Sequence, residues 1–128
     1  MDLEWQRLDW PAAKVYISAI PAVIPAMDDA QGAWKLKDRY RLRTIISGRV
    51  QGVGFRYFTC RLAEEFAVTG YVRNLPSGDV EIVAEGNQAV VEEFMALAGK
   101  GPSYSRITEV KSYLEPPKGN YGSFGISH

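Results

Sequence analysis

The chain has 128 residues and a mass of 14.3 kDa, 46% of them apolar and 23% charged, the make-up of one folded domain. Fifteen basic side chains balance fifteen acidic ones, which argues against a protein that coats nucleic acid. A single cysteine, Cys60, and a single histidine, His128, exclude an intrachain disulfide, a thiolate metal cage, a histidine zinc site and a histidine-based catalytic triad within one chain.

Composition changes near residue 38. Residues 1–38 hold all three tryptophans (Trp5, Trp10, Trp34), three prolines and one glycine, with four basic against six acidic side chains. Residues 39–128 carry eleven basic and nine acidic side chains. The first part has no sustained period, although residues 14–20 predict a short strand, so it reads as an extension of a domain spanning 39–128. Disordered tails are poor in aromatics, and the three tryptophans therefore predict docking on the domain or self-association through residues 1–38. The expected receiver is the sheet face that the helices leave uncovered. The most apolar stretch, residues 15–26, is interrupted by Pro21 and Pro25 and follows Asp2, Glu4 and Asp9. It is neither a membrane span nor a signal peptide, and a cytoplasmic location with no membrane partner is expected.

From residue 39 the periodicities are regular. Tyr40, Leu42, Thr44 and Ile46 alternate with Arg41, Arg43, Ile45 and Ser47, which predicts a strand. Residues 48–54 (GRVQGVG) form a glycine-rich loop. Phe55, Phe58, Thr59, Leu62, Ala63 and Phe66 then recur at helical spacing, with Cys60 off that stripe. Residues 71–74 read as a strand, Pro76-Ser77-Gly78 as a hairpin turn, and Val80, Ile82 and Ala84 as the inner face of the next strand. Gly86-Asn87 caps a second helix with Val90, Val91, Phe94, Leu97 and Ala98 inward. Residues 106–114 and 123–127 are the last strands. The order β-α-β-β-α-β predicts an α+β, ferredoxin-like sandwich: an antiparallel sheet with two helices on one face, plus the N-terminal extension.

The loop carries the chemistry. Its glycines let consecutive amides turn toward one point, and it runs into a helix N-terminus, both of which favour an anion. Arg56 lies in the first helical turn, where its planar fork can meet phosphate oxygens. Arg39, Arg41, Arg43 and Arg49 precede it with no intervening acid, so the mouth of the loop is expected to be positive. By itself such a turn is either a tight connection or an anion cradle. Nucleotide fingerprints do not fit: Gly54 is followed by Phe55-Arg56 rather than Lys-Ser or Lys-Thr, and position 57 is Tyr57 rather than glycine. The residue six after Cys60 is Phe66, which excludes a cysteine phosphatase.

Gly48-Arg49-Val50-Gln51-Gly52-Val53-Gly54-Phe55-Arg56, followed by Gly70-Tyr71-Val72-Arg73-Asn74, resemble the two signature blocks of the acylphosphatases. Gly101-Pro102 and the pair Phe124/Ile126 resemble that family too, and the likeness spans residues 39–128. The resemblance implies the same sandwich fold and hydrolysis of acyl phosphates to a carboxylate and inorganic phosphate, the latter both product and inhibitor. It implies that Arg56 binds the phosphoryl group together with amides of Val50, Gln51, Gly52, Val53, Gly54 and Phe55, and that Asn74 holds the attacking water. The carboxylate leaving group needs no general acid, so positioning and electrostatics suffice, and no metal or other cofactor is expected. Two alternatives compete. One is an acylphosphatase-like domain of a larger, carbamoyl-phosphate-using maturation factor. The other is an RNA-binding module on the same fold, disfavoured because Thr44, Ile45 and Ile46 stand where stacking aromatics would be needed.

Overall fold

The computed structural model describes residues 6–8, 14–19, 39–119 and 121–127. The alternating segment forms β3 (Tyr40–Arg49), and the glycine-rich loop leads into α1 (Phe55–Ala63). β4 (Thr69–Asn74) and β5 (Val80–Gly86) make the predicted hairpin. α2 (Gln88–Ala98) starts at Asn87, whose Oδ1 accepts from the amides of Ala89 at 3.0 Å and Val90 at 3.4 Å. That carboxamide satisfies two of the amides a helix start leaves free. β6 (Arg106–Glu115) and β7 (Phe124–Ile126) complete the domain, and β1 (Gln6–Leu8) and β2 (Lys14–Ala19) belong to the extension.

The sheet runs β1-β2-β6-β3-β5-β4-β7. Its four central strands, β6, β3, β5 and β4, are antiparallel throughout, as the ferredoxin-like reading requires. Parallel pairs occur where β7 joins β4 and where β2 joins β6. One face carries both helices. Leu42, Ile46, Val72, Val80 and Ile82 pack there against Phe55 and Ala63 of α1 and Val91, Phe94 and Ala98 of α2. Phe94 meets Phe66 and Phe124 edge-on, with ring centres 5.9 and 5.4 Å apart, which ties α2 to the segment after α1 and to β7. Cys60, off the helical stripe in sequence, is half-buried at the margin of this core, and burial pushes its thiol pKa up, with Glu64 adding to the rise.

The described part of the extension lies at a sheet edge rather than on the uncovered face. β2 pairs in parallel along β6, from Lys14 opposite Glu109 to Ala19 opposite Leu114. An edge strand presents a row of free amides and carbonyls, and a further strand pairing there satisfies them. Trp5, Trp10 and Trp34 lie outside the described residues.

The uncovered face is charged. Arg41 Nη1 donates to Glu85 at 2.8 Å and its Nε to Glu115 at 3.0 Å; Arg43 Nε donates to Glu115 at 2.8 Å, and Arg73 Nε to Glu81 at 2.7 Å. Burial raises the pKa of Glu85. Hydrogen bonds from the Gly119 amide, Arg41 and the Lys118 amide outweigh it and hold the carboxyl below its ordinary range. Glu115 is likewise lowered, by Arg43 and Arg41 against burial. This pairing takes Arg41 and Arg43 out of the positive mouth expected around the loop. Alternation sends Arg41 and Arg43 to the face opposite the helices, where β5 and β6 supply carboxylates.

Candidate active site

Two buried apolar side chains pin the ends of the glycine-rich loop: Val50, with no exposed surface, and Phe55, 2% exposed. Their contribution to any ligand is therefore through the backbone. Between them Gly52 and Gly54 adopt φ of +74° and +80°, the left-handed region that a side chain disfavours. A Cβ at either glycine would meet nothing within 4 Å, so the space above both stays open. Val53, half-buried, packs against the core.

Gly54 is also the N-cap of α1. No side chain caps that end, and its first turn contains no acidic residue. The helical ladder begins with Phe58 N donating to Gly54 O at 2.9 Å, which leaves the preceding amides free to meet an anion. Arg56, the second residue of α1, stands at this end.

Asn74 arrives from another element. It is the last residue of β4, where Val72 faces the core and Arg73 the charged face, so alternation returns Asn74 to the helix side. The turn that follows closes through Leu75 N to Asp79 O at 2.9 Å and Gly78 N to Leu75 O at 3.0 Å. Val50, Gly52, Gly54, Phe55, Arg56, Tyr57, Asn74 and Ile126 together line an open cleft of about 380 Å³. Arg56 and Asn74, 18 positions apart in sequence, thus share one cavity with the loop. Arg56 is the one charged residue among those eight, facing an apolar and backbone-rich wall. Such a cleft can hold a small anion by a guanidinium and amides while a carboxamide orients a neighbouring water.

The family model for acylphosphatases matches residues 42–126. The chain belongs to the acylphosphatase family. An acylphosphatase of Arthrobacter sp. strain FB24 is 44% identical over 86 residues, 67% of this chain and 79% of that protein. The crystal structure of acylphosphatase from Bacillus subtilis resembles it with a TM-score of 0.66 and 34% identity, covering 70% of this chain and 99% of that one. Full-length HypF, solved in a phosphate- and nucleotide-bound form, matches with a TM-score of 0.63 and 33% identity over 71% of this chain but 12% of its own.

Of the expected loop residues, Gln51 and Val53 do not line the cleft, and the Gln51 side chain reaches a neighbouring element. Its Nε2 donates to the carbonyls of Leu75 at 2.7 Å and Asp79 at 2.9 Å, so the side chain braces the hairpin beside Asn74 and does not line the cleft. A sequence signal for this existed: Gln51 is the only residue of 50–55 with a polar side chain. Tyr57 and Ile126 also line the cleft, and neither was expected as a site residue, although the pair Phe124/Ile126 formed part of the resemblance. Among the described residues, no three His, Cys, Asp or Glu side chains gather as a metal-ligand set, and no helix is long and apolar enough to cross a membrane.

Proposed function

We propose that residues 39–128 hydrolyse small acyl phosphates by direct, in-line transfer of the phosphoryl group to water, in the cytoplasm, with residues 1–38 as an accessory extension. The observation that supports this is the convergence of the left-handed glycine turn, Arg56 and Asn74 on one cleft of a family member. The guanidinium of Arg56 and the loop amides bind the phosphoryl oxygens and take up the negative charge they carry in the transition state. The carboxamide of Asn74 accepts a hydrogen bond from the water and holds it on the side of phosphorus away from the carboxylate. A bond forms between the water oxygen and phosphorus as the phosphorus–acyl oxygen bond breaks, and its electron pair leaves with the carboxylate. A carboxamide cannot take up the water proton at neutral pH, so that proton passes to a phosphoryl oxygen. Inorganic phosphate occupies the same cradle and inhibits as product.

The decisive experiment measures phosphate release from benzoyl and acetyl phosphate by the full chain, with and without a chelator, and repeats it with Asn74→Ala. Turnover indifferent to the chelator is expected. In the variant turnover falls while inhibition by inorganic phosphate is retained, because water is positioned only for the chemical step. Parallel loss of turnover and phosphate inhibition would make Asn74 a binding residue and overturn the division of labour.

A further inference from the structure

We infer that Arg49 and Arg106 form a second oxyanion site, outside the cleft, that takes inorganic phosphate as a dianion. Arg49 ends β3 and Arg106 begins β6, and the two stand directly opposite in the antiparallel ladder. An unbroken register would not bring them together. Ser47 pairs with Glu109, which would set Arg49 against Ile107; instead Gly48 pairs with Ile107 and Thr108 is left over as a bulge. Gly48 permits the close approach: its φ is +124°, and a Cβ there would run into the carbonyl oxygen of Arg106. The shift returns Ile107 to the core and turns Arg106 onto the face of Arg49.

Side chains directly opposite one another have Cβ atoms about 5 Å apart, and like charges there are destabilising. Every other arginine of the four central strands has an answer: Arg41, Arg43 and Arg73 each reach a carboxylate. Arg49 and Arg106 are exposed and reach none within 4.0 Å among the described residues. The next acid along β6, Glu109, is paired with Lys111 at 3.6 Å. Both arginines are fixed by their neighbours in the chain. Val50, the residue after Arg49, has no exposed surface. Ahead of Arg106, Ser105 closes a turn on the carbonyl of Pro102, with its amide at 3.0 Å and its hydroxyl at 2.6 Å. Two guanidinium forks thus rise from facing strand positions with two positive charges to balance. A carboxylate has two oxygens, which a single fork satisfies. A phosphate dianion has oxygens for both forks and matches both charges. Neither arginine lines the cleft, and alternation places the pair on the sheet face away from the helices, so the site is separate from the cradle on Arg56.

The test follows phosphate binding by calorimetry and by the arginine Nε–Hε NMR signals, at an ionic strength held constant with sodium chloride. It uses the full chain carrying Arg56→Ala, which removes the cradle's guanidinium, alone and combined with Arg49→Gln or Arg106→Gln. Phosphate should shift the Nε–Hε signals of Arg49 and Arg106. Either glutamine should weaken the remaining binding by about tenfold or more, the scale of losing one hydrogen bond between charged groups. Stability should change sign with the ligand. In phosphate-free buffer of low ionic strength, Arg49→Gln should melt above its Arg56→Ala parent, because a repulsion is gone. In saturating phosphate it should melt below, because the parent gains more from binding. Undiminished phosphate binding in the glutamine variants would overturn the site, and so would a phosphate-free midpoint no higher than the parent's. Tighter binding of phenyl phosphate than of inorganic phosphate would overturn the free ion as the occupant. None of these readouts uses turnover, so the hydrolase reading stands or falls separately.

Discussion

The side-chain amide of Gln51 donates to the backbone carbonyl of Leu75 at 2.7 Å. Its second hydrogen goes to Asp79 O at 2.9 Å, so one carboxamide spends both donors on the turn that follows Asn74. Arg56 lies five residues after Gln51, and Asn74 one residue before Leu75. The brace therefore spans the two elements that carry the proposed catalytic pair and holds their separation.

Gln51→Ala should destabilise the domain by about 1–3 kcal/mol, the range for removing donors from half-buried carbonyls, as read from urea unfolding. It should also lower kcat more than it weakens phosphate inhibition, because the loop keeps its own glycine geometry while Asn74 loses its register. Gln51→Glu should be worse on both counts, since it sets a carboxylate against two carbonyl oxygens. A kcat equal to the parent's in a folded Gln51→Ala chain would show that the brace does not position Asn74.

Arg56→Lys should behave almost like Arg56→Ala. Lysine keeps the charge and loses the planar fork, so about 3 kcal/mol of transition-state stabilisation should go, on the scale of one preorganised donor. Steady-state kinetics on benzoyl phosphate checks this, and a lysine variant with turnover near the parent's would remove the bidentate role.

Acid should unfold the domain partly through the charged face. Glu85 and Glu115 are held below their ordinary range in the folded chain, against an unfolded carboxyl near pH ~4.3. The unfolded chain then binds more protons there, so this stabilisation is complete above the unfolded value and is lost as pH falls through the lower, folded one. Glu85→Gln should cost about 3 kcal/mol at pH 7, because it leaves the buried Arg41 short of a partner. At pH 3 the gap between variant and parent should narrow. Urea midpoints measured across pH 3–7 decide it, and an equal gap at both ends would mean that Glu85 is not the titrating group.

A chain beginning at Lys37 should retain its turnover and lose stability. It lacks the β2 strand that covers the β6 edge, and the site draws no residue from that edge. Each lost 1 kcal/mol lowers the thermal midpoint by about 4 °C, and the bared edge should promote concentration-dependent self-association. Calorimetry and sedimentation test the two effects. Loss of turnover at unchanged folding would place part of residues 1–38 in the site.

The order of elements, the inward set Leu42, Thr44 and Ile46, the Asn87 cap and the glycine loop were legible because each rests on local geometry. A strand repeats every two residues, a helix every three to four, and a cap depends on amides two and three positions away. Arg56 was legible from its place in the first helical turn after the glycine loop, whereas Asn74 entered only through the resemblance to the acylphosphatases. Proximity in sequence misplaced Arg41 and Arg43, which alternation carries to the far face and Glu85, Glu81 and Glu115 then neutralise. The brace of Gln51 on Leu75, the convergence of Tyr57 with Ile126, and the edges on which β2 and β7 settle were decided by the tertiary structure alone. Each joins residues far apart in the chain, and register across such distances follows from the packing of the whole sheet and its helices, which no local period encodes.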